Sequence, residues 1–298
     1  MFEEASLYSP VVTTSDGGAV VELAHDHPGF LDADYRERRN TIASLALAWR
    51  PGQPVPEAPY TDEEHAVWVV VQRELAAKHE RLACRAAREG GAALRLPEDR
   101  IPQLPEVSAA LAPLSGFTYL PAAGLVPLRE FYGSLAERTF WSTQYIRHHS
   151  VPFYTPEPDV VHEVVGHATT LAHPDFAALY VAAGQAARRV ETVEALQVVS
   201  KVFWFSLEFG VVHEDDGPKA YGAGLLSSYG EIEEFVHADL RPLDLAAMGT
   251  LTYDITHYQP VLFAGRSWGE VMDVVGGFFA DVDDDAAAAL RARATAAV

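Results

Sequence analysis

The sequence predicts a single, mainly helical domain with a few short strands. Three observations carry that expectation. Apolar residues recur at helical spacing along most of the chain, strand signals are few and short, and no linker-like stretch divides the middle. With 298 residues, 49% of them hydrophobic, the chain can bury a substantial core.

Residues 33–49 have an Asp-rich opening and apolar positions at helix spacing. The run from Pro51 to Pro59 breaks that helix with a rigid loop. Thr61-Asp-Glu-Glu64 reads as a capping box opening a second helix that continues to about Gly90. Further helices are expected at 105–113, 127–142, 158–171, 174–186, 191–212 and 229–237. Strands are expected at 117–120, at 253–258 and at 260–263. The tail, where Asp281-Val-Asp-Asp-Asp285 leads into an Ala-rich stretch, reads as a solvated or frayed terminal helix.

The formal charge of −20 repels nucleic acid and anionic lipid, so neither is an expected partner. Cys84 is the one cysteine, which rules out a disulfide framework and fits a reducing cytosol. The acidic start, Met1-Phe-Glu-Glu, does not resemble a secretory signal, and no apolar run is long enough to span a bilayer. A soluble, cytoplasmic protein is expected.

The chemistry concentrates at His162-Glu163-Val-Val-Gly-His167 and at Glu208, within Phe203-Trp-Phe-Ser-Leu-Glu-Phe-Gly. Two His and one carboxylate, with other positions left open, suit non-haem Fe(II) working on O2. The rival is the zinc protease helix, in which two His four apart share a face and the Glu between them is the base. Here the interval is five, which puts the two side chains roughly 140° apart on a regular helix. They can share a metal if the helix ends, tightens or bulges between them, and Gly166 permits that.

The run from Tyr145 to His167 resembles the core of the pterin-dependent aromatic amino acid hydroxylases. The match recurs in Asp26-His-Pro-Gly-Phe30, Ile101-Pro-Gln-Leu104, Trp204-Phe-Ser-Leu-Glu-Phe-Gly210 and Lys219-Ala-Tyr-Gly-Ala-Gly-Leu-Leu-Ser-Ser228. It covers roughly residues 24–275. The resemblance implies an α+β, mainly α-helical catalytic domain, Fe(II), a tetrahydropterin cosubstrate, O2 and ring hydroxylation of Phe, Tyr or Trp. It divides the chain into an N-terminal extension (1–23), a catalytic domain (24–280) and a tail (281–298). Ground-state O2 reacts slowly with closed-shell molecules, so a redox metal and an electron donor must carry such a reaction.

Family roles carried onto matching positions make His162, His167 and Glu208 the iron ligands. Arg147 would clamp the substrate carboxylate through its guanidinium fork. Thr155 and Ser227 would hydrogen-bond the amino acid backbone. Trp204 and Phe209 would flank the ring, opposite Pro158 and His162, with Gly224 giving room. The pterin would meet Ala122 and the backbone of Gly124, Leu125 and Val126, stack on Phe131 and face Glu163. Asp159 would orient a ligand or Arg147.

Some positions depart from the family pattern. Ala168-Thr-Thr-Leu171 follows His167 where the family usually has a Pro, and Trp141 stands where animal members often have a His. Animal members add a regulatory domain and a tetramerising helix. This chain resembles the short bacterial members, so a monomer is expected. Trp204 matches the phenylalanine and tyrosine branches, and Ile255 stands where the tyrosine branch has Asp. L-Phenylalanine, hydroxylated at the para carbon to tyrosine, is the expected substrate. The alternatives are a tryptophan or tyrosine hydroxylase of the same family, a zinc metallohydrolase, and a non-catalytic binding module.

Overall fold

The computed structural model describes residues 9–15, 17–255 and 257–296. A short antiparallel hairpin, β1 (Val11–Thr13) and β2 (Ala19–Val21), precedes the first helix. Helix α1 (Ala33–Ala48) starts where the Asp32 carboxylate accepts from the Tyr35 amide. The capping box opens α2 (Asp62–Leu82). Thr61 Oγ1 accepts from the Glu64 amide, and the Glu64 carboxylate accepts from the Thr61 amide.

The expected continuation to Gly90 is interrupted. The Cys84 amide donates to the carbonyl of Ala220, and Cys84 Sγ caps α3 (Arg85–Leu94), so the chain bends at Ala83. This break is imposed by a distant strand, with no Gly or Pro to announce it. Helix α4 (Leu104–Leu111) leads into β3 (Thr118–Pro121), close to the expected 117–120.

The expected helix at 127–142 is half right. Helix α5 (Leu128–Leu135) ends, Arg138 takes φ +54°, and β4 (Thr139–Ser142) pairs in parallel with β3. Phe140 and Ser142 point inward there while Thr139 and Trp141 are half-buried, the alternation of a strand.

A π-helical turn (His162–Ala168) runs directly into α6 (Thr169–Leu171), and α7 (Pro174–Arg189) follows. Helix α8 (Val193–Phe203) continues into a second π turn, Trp204–Glu208. The helix expected over 191–212 therefore stops short, and its last residues begin β5 (Val211–Glu214).

Strands β5, β6 (Gly217–Ala220), β7 (Asp239–Pro242) and β8 (Val261–Gly265) form one sheet in the order β6-β5-β8-β7. β5 and β6 are an antiparallel hairpin, and β8 is parallel to both β5 and β7. Helix α9 (Ala223–Ser227) follows β6. The short α10 (Glu231–Glu234) and α11 (Leu245–Met248) flank β7. Residues 253–255 and 257–258, expected as strand, are loop at the mouth of a cavity. Helices α12 (Trp268–Val271), α13 (Gly277–Asp281) and α14 (Asp284–Ala296) close the chain.

One large core joins these elements. Phe117, Tyr132, Phe176, Tyr180 and Phe203 are fully buried around α7 and α8. The π turns at His162–Ala168 and Trp204–Glu208 rest on it, which gives the site a rigid floor. Among the described residues, no helix is long and apolar enough to cross a membrane.

Candidate active site

The i→i+5 hydrogen bonding of a π turn stacks residues five apart. His162 and His167 lie at the two sides of such a turn, so the interval that a regular helix would splay brings both imidazoles to one face. Their Nε2 atoms are 3.0 Å apart with the rings at 89°. Gly166 serves this turn by allowing close packing. A Cβ there would lie 2.6 Å from the Ala223 carbonyl oxygen and 3.2 Å from Ala223 Cβ.

Glu208, the last residue of the second π turn, reaches the same point. Its Oε1 is 3.2 Å from His167 Nε2, and its Oε2 is 3.7 Å from His162 Nε2. The outward nitrogens are already engaged. His162 Nδ1 is 2.9 Å from Ser227 Oγ, and His167 Nδ1 is 2.7 Å from Tyr180 Oη. Burial and the neighbouring His167 push His162 down to about 4, so it is neutral at pH 7. Burial alone would raise Glu208, but the two imidazoles hold it down, at about 2.

Two imidazoles and an ionised carboxylate converging on one point suit a divalent metal, and the donor set suits iron. Glu163 competes for the third position, since its carboxylate also lies within 4.8 Å of both imidazoles. Glu163 Oε1, however, accepts from Thr143 Oγ1 at 3.1 Å and the Thr143 amide at 3.3 Å. Burial raises Glu163 to about 7. A partly protonated carboxyl tied to Thr143 is the poorer ligand, and Glu208 is the better assignment.

The residues expected on the substrate side share one cavity. Arg147, Thr155, Pro158, Trp204, Phe209, Gly224 and Ser227 all line it beside the metal face. The Arg147 guanidinium is held by Asp159, which also accepts from the His162 amide at 3.2 Å. Trp204 is sandwiched, with Phe209 at 4.4 Å and Tyr253 at 4.2 Å between ring centroids. At Gly224 a Cβ would fall 2.7 Å from Phe209 Cζ, so any side chain would push that ring. Thr155 Oγ1 donates to the Glu157 carbonyl, and Ser227 Oγ donates to the Ala223 carbonyl. Ser227 thus faces His162 as well as the cavity.

The residues expected on the pterin side are split between two neighbouring hollows. Phe131 and Glu163 line the main cavity, while Gly124 and Leu125 line a smaller one with Ser9 and Val11 of the N-terminal segment. The two share Glu157 and Pro158. Ala122 is buried and Val126 half-buried, and neither lines either hollow. Glu163 Oε2 is buried with no hydrogen-bond partner among the described residues, an acceptor position suited to a polar ring edge.

Sequence reasoning missed several contributors. Tyr180 behind His167, Tyr253 behind Trp204, and the lining residues Phe153, Tyr154, Glu231, His257 and Tyr258 lie outside the recognised words or carry no local signal. Ile255, read for specificity, does line the cavity.

A converging two-His, one-carboxylate face beside an Arg and aromatic pocket, on a mainly helical α+β frame, is the arrangement of a metal-dependent hydroxylase site. Residues 13–289 match the biopterin-dependent aromatic amino acid hydroxylases, and the chain belongs to that family. It is 50% identical over 264 residues to a phenylalanine 3-hydroxylase of Streptomyces coeruleorubidus, covering 89% of this chain and 95% of that one. It is 40% identical over 267 residues to the phenylalanine-4-hydroxylase of Bos taurus, covering 88% of this chain and 59% of that longer protein. A solved structure of Chromobacterium violaceum phenylalanine hydroxylase, with bound iron(III) and 7,8-dihydrobiopterin, superposes with a TM-score of 0.73 at 26% identity. That match covers 86% of this chain and 92% of the other.

Proposed function

We propose that this chain hydroxylates the ring of free L-phenylalanine, using O2, Fe(II) and a tetrahydropterin. The observation that carries this is one cavity in which the His162, His167 and Glu208 face stands beside Arg147 and Trp204. Iron and reduced pterin, when bound, supply the electrons and the site of O2 activation. Arg147 holds the amino acid carboxylate, and Trp204 and Phe209 hold the ring. Pro158 and His162 form the opposite wall, and Thr155 lies where the backbone of the amino acid would sit. Phe131 and Glu163 face the pterin, and the Gly124 loop borders it. His167, Glu208 and Trp204 are buried, which limits water at the proposed metal face and directs oxidant to the ring.

The test incubates purified protein with Fe(II), a tetrahydropterin, O2 and each aromatic amino acid in turn. Hydroxylated phenylalanine coupled to pterin oxidation is expected, and the absence of both would overturn the reading. The ring carbon is read in the same assay. Para attack gives tyrosine, as in the 4-hydroxylase relatives. The 50% identity to a 3-hydroxylase supports a second reading, attack at the meta carbon to give meta-tyrosine. Chromatography against both standards separates them.

The catalytic unit is taken as 24–280, acting as a monomer. A cytoplasmic setting is supported by the single, buried Cys84.

A further inference from the structure

Behind His167 lies a closed ring of hydroxyl contacts. His167 Nδ1 is 2.7 Å from Tyr180 Oη, Tyr180 Oη is 3.2 Å from Thr170 Oγ1, and Thr170 Oγ1 is 2.9 Å from the His167 carbonyl oxygen. His167, Tyr180 and Thr170 are all buried, so water does not substitute for any member. The directions follow from proton counting. A carbonyl can only accept, so Thr170 donates to it. Thr170 has then spent its one proton and must accept from Tyr180. Tyr180 in turn must accept from His167, whose proton is therefore on Nδ1. The remaining lone pair, on Nε2, is the one that faces His162 and Glu208.

We propose that Tyr180 and Thr170 are positioning residues for the metal, a relay that fixes the tautomer and orientation of His167 and strengthens it as a ligand. The inference rests on the metal reading above. It gives a purpose to Ala168-Thr-Thr-Leu171, the stretch that departs from the family pattern, because Thr170 is the residue that closes the ring. His162 has a simpler counterpart, since Ser227 Oγ donates to the Ala223 carbonyl and so accepts from His162 Nδ1. Partners of this kind typically contribute about 10- to 100-fold to metal affinity.

The test titrates metal-free protein with cobalt(II), followed by its ligand-field absorption, alongside thermal melts without metal. Tyr180→Phe keeps the ring against Phe203, at 5.5 Å between centroids, and removes only the hydroxyl. Thr170→Val is similarly conservative. Each is expected to weaken cobalt binding about 10-fold or more. The double variant should be no weaker than the worse single, because one ring is broken either way. Thr170→Ser should restore wild-type affinity. Wild-type cobalt affinity in Tyr180→Phe, or a lower melting temperature with unchanged affinity, would overturn the relay alone. Failure of wild-type protein to bind cobalt in a His162-dependent way would overturn the metal reading and the relay with it.

Discussion

Arg147 and Asp159 form a buried bidentate ion pair, Nε to Oδ2 and Nη2 to Oδ1, each at 2.8 Å. The same carboxylate accepts from the amides of Arg147 and His162, so it ties the proposed substrate clamp to the π turn that carries both histidines. It also occupies one edge of the guanidinium, leaving Nη1 and the outer face of Nη2 for a ligand. Asp159→Asn keeps the shape and removes the charge. It should cost about 2–5 kcal/mol of the free energy reported by kcat/KM for the amino acid, expressed mainly as a higher KM. Steady-state kinetics with varied amino acid at fixed pterin measures this, and an unchanged KM would remove Arg147 from the clamp.

Glu208 and Glu163 should separate cleanly. Glu208→Gln is expected to abolish metal retention through gel filtration, because the ionised member of the trio is lost. Glu163→Gln should retain the metal and raise the KM for the pterin, since its carboxyl faces that side. Metal analysis of both proteins decides the assignment. Metal loss in Glu163→Gln with retention in Glu208→Gln would reverse it.

Glu231, a buried residue of the cavity lining, gives a pH signature. Its Oε1 accepts from the Gln259 amide at 2.7 Å, and burial raises its carboxyl to about 7. The folded state therefore keeps this proton to higher pH than the unfolded chain does, whose value is 4.5. The stability it contributes is complete below about 4.5 and is lost as pH rises through about 7. The slope is at most about 1.4 kcal/mol per pH unit inside that window. Urea unfolding of wild type and Glu231→Gln from pH 5 to 8 should show wild type losing stability relative to the variant as pH rises. Parallel curves would refute the assignment.

Gly166→Ala tests the packing of the first π turn. The added Cβ would press on Ala223, so either the turn or α9 must shift. A loss of about 1–3 kcal/mol is expected, as for overpacked cores, together with weaker metal binding. Thermal melts and cobalt titration measure the two effects separately.

Much of this was legible in the sequence where the signal is local. The Thr61 box fixes a helix start through its own side chains and stands where expected, and the Asp-rich opening of the first helix is capped by Asp32. The metal words and the residues carried over for the substrate line one cavity, whereas the Gly124 loop borders a second hollow and Ala122 and Val126 line neither. What was illegible depends on distant partners. The break at Ala83 needs the Ala220 carbonyl, and β4 needs β3 alongside it. The loop at 253–255 alternates like a strand, but Tyr253 spends its ring on Trp204 instead of a sheet. Tyr180 sits mid-helix, and only folding shows that its hydroxyl meets His167.

The π winding between the two histidines has a consequence for how such sites change over time. A five-residue turn differs from an ordinary one by a single extra residue, and both leave their end residues on one side of the cylinder. Deleting one residue between His162 and His167 would shorten the loop of the coil while leaving the two rings neighbours. Two ligand motifs that look unrelated as text, one with four intervening residues and one with three, are thus separated by one codon's length. A search that fixes the interval treats as different what the helix can treat as the same.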